Sequence, residues 1–212
     1  MNRAKQSDTK TESVSSKRGE RWTFAPLTAE RWKDFEALVG PRGAYGGCWC
    51  MLWRCKRSQW EAQKGEGNHQ AMKAIVESGD APGLLAYDGR EPIGWCSVAP
   101  RSAFPALARS RVLKPIDNQA IWSVSCFFIR KSHRHQGVSV ALLRAACDFV
   151  RTQGGTIVEG YPVEPRKERY PQVYAWTGFA RTFIEAGFTE CLRRSETRPI
   201  MRRVLDDSVS TR

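Results

Sequence analysis

Residues 120–129 place Ile, Trp, Val, Phe, Phe and Ile within ten positions. β-branched and aromatic side chains at that density fit a buried strand. The strand runs into a basic turn, Arg130-Lys-Ser-His-Arg-His-Gln136, and Gly137 opens a helix over residues 137–153. Val138, Leu142, Ala145 and Phe149 recur on one side of that helix, with Arg144, Asp148 and Arg151 on the other. A strand, a basic turn and a helix in direct succession call for a sheet with helices packed on it. The turn gathers several backbone N–H groups at the positive end of a helix dipole, which suits an anion such as a pyrophosphate. Gly137 lets the backbone come close to a phosphate, Ser139 is too small to block it, and Arg130, Lys131 and Arg134 add donors.

The rest of the chain fills in the sheet. Residues 22–25 read as a strand, and Thr28 caps a helix carrying Trp32, Phe35 and Val39 at helical spacing. A Gly-rich, aromatic loop spans residues 40–57; a helix starting near Ser58 is stopped by Gly65 and Gly67. Asn68 caps a further helix with Met72, Ile75 and Val76 on one face. Strands at 84–87 and 93–99 meet around Asp88-Gly89, a hairpin signal, and a basic, proline-marked loop covers 100–117. Residues 156–163 form a strand, 178–186 a short helix, and 188–194 with 198–204 a closing antiparallel pair. The order β-α-α-β-β-β-α-β-α-β-β gives an α/β class fold built on a mixed (α+β) sheet.

A chain of 212 residues suits one well-buried domain, expected over residues 21–205, after a flexible polar extension at 1–20 and before a tail at 206–212. No run approaches the roughly 20 apolar residues that span a bilayer, so no membrane partner is expected. Seven cysteines without an export signal favour reduced thiols and a cytoplasmic location. The net charge of +12 attracts anions of any kind. Nucleic acid is the weaker match, because no helix-turn-helix, RNP-type strand or complete zinc finger appears.

Arg134-His135-Gln136-Gly137-Val138-Ser139 resembles the acetyl-CoA-binding motif (Gln/Arg)-x-x-Gly-x-(Gly/Ala) of the GNAT N-acetyltransferase superfamily, with Ser in the last position. Phe183-Ile-Glu-Ala-Gly187-Phe188 is similar to the family's closing Tyr-x-x-x-Gly-Phe. The resemblance implies a GNAT-like acyltransferase fold and an N-acetyltransferase moving an acetyl group from acetyl-CoA to a primary amine by direct attack in a ternary complex. It implies that backbone amides from Arg134 to Ser139 hold the CoA pyrophosphate. Backbone groups of Phe127, Phe128 and Ile129 would pair with pantetheine and polarise the thioester carbonyl. Phe183 stands where the family often has a tyrosine acid for the departing thiolate, so Tyr174 and Tyr161 are the nearest substitutes. Glu159, on the preceding strand, is the candidate base.

Cys48, Cys50 and Cys55 cluster ahead of His69, but Cys-x-Cys is too tight for the usual zinc knuckle and no second pair follows, so no metal site is expected. Trp49 and Trp53, with Trp60, either floor the acceptor cleft or belong to the core. Cys126 lacks a base placed by sequence and reads as a packed thiol. Two other functions fit the same residues: a non-catalytic acyl-CoA sensor with this fold, and a basic nucleic-acid-binding protein. The acceptor and the oligomeric state, a homodimer included, are open at this point.

Overall fold

The computed structural model describes residues 21–166, 170–171 and 174–205. The extension expected at 1–20 and the tail at 206–212 lie outside these. Seven strands form one sheet: β1 (Thr23–Pro26), β2 (Gly83–Asp88), β3 (Glu91–Pro100), β4 (Trp122–Ile129), β5 (Ile157–Gly160), β6 (Thr189–Arg193) and β7 (Pro199–Val204). Their spatial order is β1-β2-β3-β4-β5-β7-β6. All neighbours are antiparallel except β4 and β5, which run parallel. The helices are α1 (Trp32–Val39), α2 (Arg57–Ala62), α3 (Glu66–Glu77), α4 (Pro105–Ala108), α5 (Val138–Thr152) and α6 (Ala180–Glu185).

The mixed α/β sheet matches the sequence expectation, with local differences. The basic loop after β3 holds a short helix, α4, with proline at its first position, where the missing N–H costs nothing. β5 stops at Gly160 rather than 163 because the chain turns away from β7 there.

Two cores flank the sheet. On one face Val138, Leu142, Ala146 and Val150 of α5 pack with Phe183 of α6 against Ile93, Val98 and Val124. Each fully buried Leu or Phe in such a layer contributes about 1.5–3 kcal/mol. On the other face Phe35 of α1, Met72 of α3 and Trp49 cover Leu85 and Trp95, with the Phe35 and Trp95 rings 4.8 Å apart.

One irregularity shapes the centre. Ser97 pairs with Cys126 but Val98 pairs with Val124, so Ser125 is an extra residue bulged out of β4. A bulge bends the strand that carries it and re-aims the residues beyond it. β4 pairs with β5 only over Trp122–Val124, and past Val124 the two parallel strands part.

Candidate active site

The gap left by the parting of β4 from β5 opens into a cavity of about 940 Å³. One wall is the end of β4, Cys126 to Ile129, followed by His133, Arg134, His135 and the first residues of α5. Tyr45, Cys48, Cys50, Trp53 and Trp60 of the loop after α1 and of α2, with Ala175, Trp176 and Phe179 from the stretch leading into α6 and Arg181 of α6, complete the lining.

The sequence makes this wall by alternation. The Arg130 N–H donates to the Ile93 carbonyl of β3 at 2.8 Å, whereas the Phe127 N–H points the other way and donates to the Trp176 carbonyl at 2.6 Å. Backbone direction repeats every second residue, so the Ile129 N–H shares the cavity side with Phe127, and Phe128 pairs with Trp95 of β3. Of the three residues expected to bind pantetheine through their backbones, Phe128 therefore contributes only its side chain to the cavity. Phe127 already has a partner, in a loop that no sequence signal places there.

Beyond the strand, His135 (φ 60°) and Gly137 (φ 87°) take left-handed backbone, which folds the basic turn onto the start of α5. An added Cβ on Gly137 would meet nothing within 4 Å, so this backbone faces open space. The first α5 hydrogen bond runs from the Ala141 N–H to the Gly137 carbonyl at 3.0 Å, leaving the N–H groups of Val138, Ser139 and Val140 ahead of the ladder. Arg134, His135, Gly137, Val138 and Ser139 all line the cavity. Gln136 does not, and its amide donates to the Ser132 carbonyl at 2.8 Å.

The expected catalytic side chains are elsewhere. Glu159 is 1% exposed and lies outside the cavity lining. One carboxylate oxygen accepts from Arg101 (2.6 Å) and the Tyr161 hydroxyl (2.7 Å), and the other from Arg202 (2.7 Å). A carboxylate buried outside the cavity and held by three donors does not reach a substrate there, which corrects its assignment as base. Tyr161 is fully buried, bonded to Arg101, Ser123 and Glu159, and burial followed by the Glu159 charge pushes its pKa well above the usual phenol value. It is a fixed member of that network rather than a proton donor in the cleft. Tyr174 is 57% exposed and is also outside the lining. Phe183 is fully buried beside Phe127 and Phe188, so the terminal motif supplies packing.

The two tryptophans separate. Trp53 lines the cavity with its ring 5.9 Å from Trp176. Trp49 is instead core, 4.4 Å from the His69 ring and 6.3 Å from Trp32. It points inward because Trp49 (φ 45°) and Cys50 (φ 57°) are consecutive left-handed residues that turn the chain back. Sequence alone could not show that turn, since neither residue is glycine. Among the described residues no group of three or more His, Cys, Asp or Glu is arranged to hold a metal ion, and no helix is long and apolar enough to cross a membrane.

Residues 49–174, more than half of the chain, match the Acetyltransferase (GNAT) family. The chain belongs to that family. This GNAT acetyltransferase accordingly has acetyl-CoA as its co-substrate. No curated protein sequence matches it. Its fold is that of the ribosomal-protein-S5-alanine acetyltransferase of Vibrio fischeri, with a TM-score of 0.53 at 14% identity over 91% of this chain and 98% of the other. A GNAT-family acetyltransferase of Streptococcus agalactiae gives a TM-score of 0.51 at 10% identity over 87% and 96% of the two chains.

Proposed function

We propose that acetyl-CoA and a primary amine meet in the cavity beside β4, and that the amine attacks the thioester directly in a ternary complex. The supporting observation is the parting of β4 and β5 after Val124, which opens a cavity lined by the start of α5. The N–H groups of the turn and of α5 receive the pyrophosphate, with Arg134 and His135 beside them. The Ile129 N–H, directed into the cavity, stabilises charge developing on a carbonyl oxygen. Acetyl-CoA supplies an acyl group already activated as a thioester.

No carboxylate lines the acceptor side among the described residues. Glu185 is the one acidic residue they bring to the lining, at the helix α6 end, and its carboxylate accepts from Arg181 at 2.8 Å. His133 and His135 stand in the pyrophosphate turn, so the amine enters neutral and sheds its proton to water; Tyr45, the lining tyrosine among the described residues, is 71% exposed, so the thiolate leaves without a buried acid fixed beside it. The acceptor is an amine that fits between Trp53 and Trp60, on a small molecule, peptide or protein. A cytoplasmic location belongs to the same proposal, supported by seven unbridged cysteines.

Calorimetric titration with acetyl-CoA, comparing the parent with Gly137→Ala and Gly137→Asp, tests the cleft. Ala carries left-handed strain of about 1–2 kcal/mol and Asp less, so binding weaker in Asp than in Ala comes from the carboxylate and not from strain. Asp should weaken binding relative to Ala by roughly 10- to 100-fold, about 1.4–2.8 kcal/mol. Equal affinities for Asp and Ala variants would remove the α5 start from the binding site.

A further inference from the structure

Two thiols face each other on the floor of the cavity. The Cys50 and Cys126 sulfurs are 3.6 Å apart, although 76 residues separate them in the chain, and both line the open space. The Trp95 indole N–H donates to the Cys50 sulfur at 3.2 Å. The guanidinium of Arg54, stacked on Phe104 at 4.5 Å, is near enough for its charge and that of a Cys50 thiolate to favour each other. Its Nε is buried with no hydrogen-bond partner among the described residues. Cys50 also sits on the strained pair of left-handed residues, and such strain persists only where surrounding structure imposes it. Packing alone asks for none of these features.

We propose that Cys50 and Cys126 are an oxidation site: a hydroperoxide entering the cavity converts the pair to a disulfide that ties the Trp49–Cys50 turn to β4. Cys50 is the attacking sulfur. Either thiol can hold the proton between them, but the Trp95 N–H aimed at Cys50 places the negative charge there. The Cys126 S–H contact, assisted by Trp95 and Arg54, outweighs burial and lowers the Cys50 pKa, while contact with Cys50 and burial raise that of Cys126. The Cys50 thiolate attacks one peroxide oxygen, the O–O bond breaks, and the departing oxygen takes up a proton, leaving Cys50 as a sulfenic acid. The Cys126 sulfur then attacks the Cys50 sulfur, the S–O bond breaks, and water leaves with the Cys126 proton. Two thiols are oxidised and one peroxide is reduced. The sulfurs must approach by about 1.5 Å to reach a bond of roughly 2.05 Å. The turn at residues 43–50 must supply that movement, and it is tied by backbone bonds from the Gly47, Cys48 and Trp49 N–H groups, so bridging requires it to shift on that scaffold.

This places a modification inside the acetyl-CoA cleft, and its coupling to the co-substrate rests on the proposed function. The test treats the reduced full chain with hydrogen peroxide and follows intact mass and peptide maps. The expected product is 2 Da lighter, maps to Cys50–Cys126, and reverts with dithiothreitol; Cys48→Ser still forms it. Cys126→Ser should instead accumulate oxygen adducts on Cys50. A disulfide mapping to Cys48, or oxygen adducts with no disulfide in the parent, would overturn the proposal. Acetyl-CoA at about ten times its dissociation constant leaves roughly a tenth of the protein open, so bridging should slow about ten-fold. Unchanged bridging despite calorimetrically proven binding would overturn the claim that peroxide reaches the pair through the cleft. Bridging by a protein that does not bind acetyl-CoA would sustain the thiol pair and remove the cleft assignment.

Discussion

Replacing Glu159 with Gln distinguishes a scaffold from a catalytic base. The network around it balances charge: Glu159 and Asp117 face Arg101 and Arg202, and Arg202 reaches both carboxylates, at 2.6 Å to Asp117 and 2.7 Å to Glu159. Side-chain exposure is 1% for Glu159, 13% for Arg101 and 10% for Arg202, so little water is present to compensate a loss. Burial works against the Arg202 charge, but its bonds to Asp117 and Glu159 prevail and hold its pKa above the ordinary value. Glu159→Gln leaves the Arg101 guanidinium without a carboxylate partner and Arg202 with Asp117 alone. It also turns an acceptor into an N–H donor facing Arg101 or Arg202. Breaking a buried pair from one side costs about 3–5 kcal/mol. For a domain of this size each kcal/mol moves the melting temperature by about 2–4 °C, so melting should fall by roughly 6–20 °C. Circular dichroism melts give that number, and acetyl-CoA titration well below the transition gives the affinity of the folded fraction, which should be unchanged. A variant that melts within about 2 °C of the parent while losing turnover would refute the scaffold argument and return Glu159 to chemistry.

Gly160→Ala should be destabilised by about 1–3 kcal/mol, because the new methyl group collides with the Phe183 ring that fills the space over β5; urea unfolding reads this, and an unchanged midpoint would mean the two elements slide freely. Asp117 has its pKa lowered, chiefly by the hydrogen bonds from Arg202, so its contribution to stability is present above the ordinary carboxylate value of about 3.9 and is lost as pH falls through the lower, folded value. Acid titration of stability should therefore be shallower in Asp117→Asn than in the parent below pH of about 4, and superimposable curves would remove Asp117 from the linkage. With no acceptor-side carboxylate in the cavity and His133 and His135 in the pyrophosphate turn, kcat/KM should rise with pH along the free amine's own titration; a separate inflection near neutral pH would make one of these histidines, or a group outside the described residues, the base.

Local pattern was enough for the parts of the fold where consecutive residues do the work. The dense β-branched and aromatic run of β4, the basic turn and the amphipathic stripe of α5 lie within one continuous stretch, and the cofactor side of the cavity follows from it. The acceptor side is different. Trp49 and Trp53 are four residues apart in the same loop, yet a left-handed turn at Trp49–Cys50 sends one into the core and leaves the other in the cavity. Glu159 was legible only as an acidic residue on a strand near the motif. Its partner Arg202 becomes visible once β5 and β7 pair with those two residues opposite each other, a register that no short-range signal sets. Trp176 lies in a loop between β5 and α6 whose sequence carries no helical or strand period, so its carbonyl on β4 was not foreseeable. The thiol pair likewise needs a turn and a strand that only the folded sheet brings together.

The bond from the Phe127 N–H to the Trp176 carbonyl has a kinetic corollary. Any ligand that takes this amide must first evict an internal competitor that is covalently part of the protein and therefore never diffuses away. One backbone hydrogen bond is worth about 0.5–1.5 kcal/mol net, which scales down the apparent affinity by roughly two- to ten-fold. The observed binding rate would then level off at high ligand concentration, at the speed with which the loop lets go. Stopped-flow mixing would show the crossing of residues 175–178 as a plateau, a property of the chain itself that no change of ligand can raise.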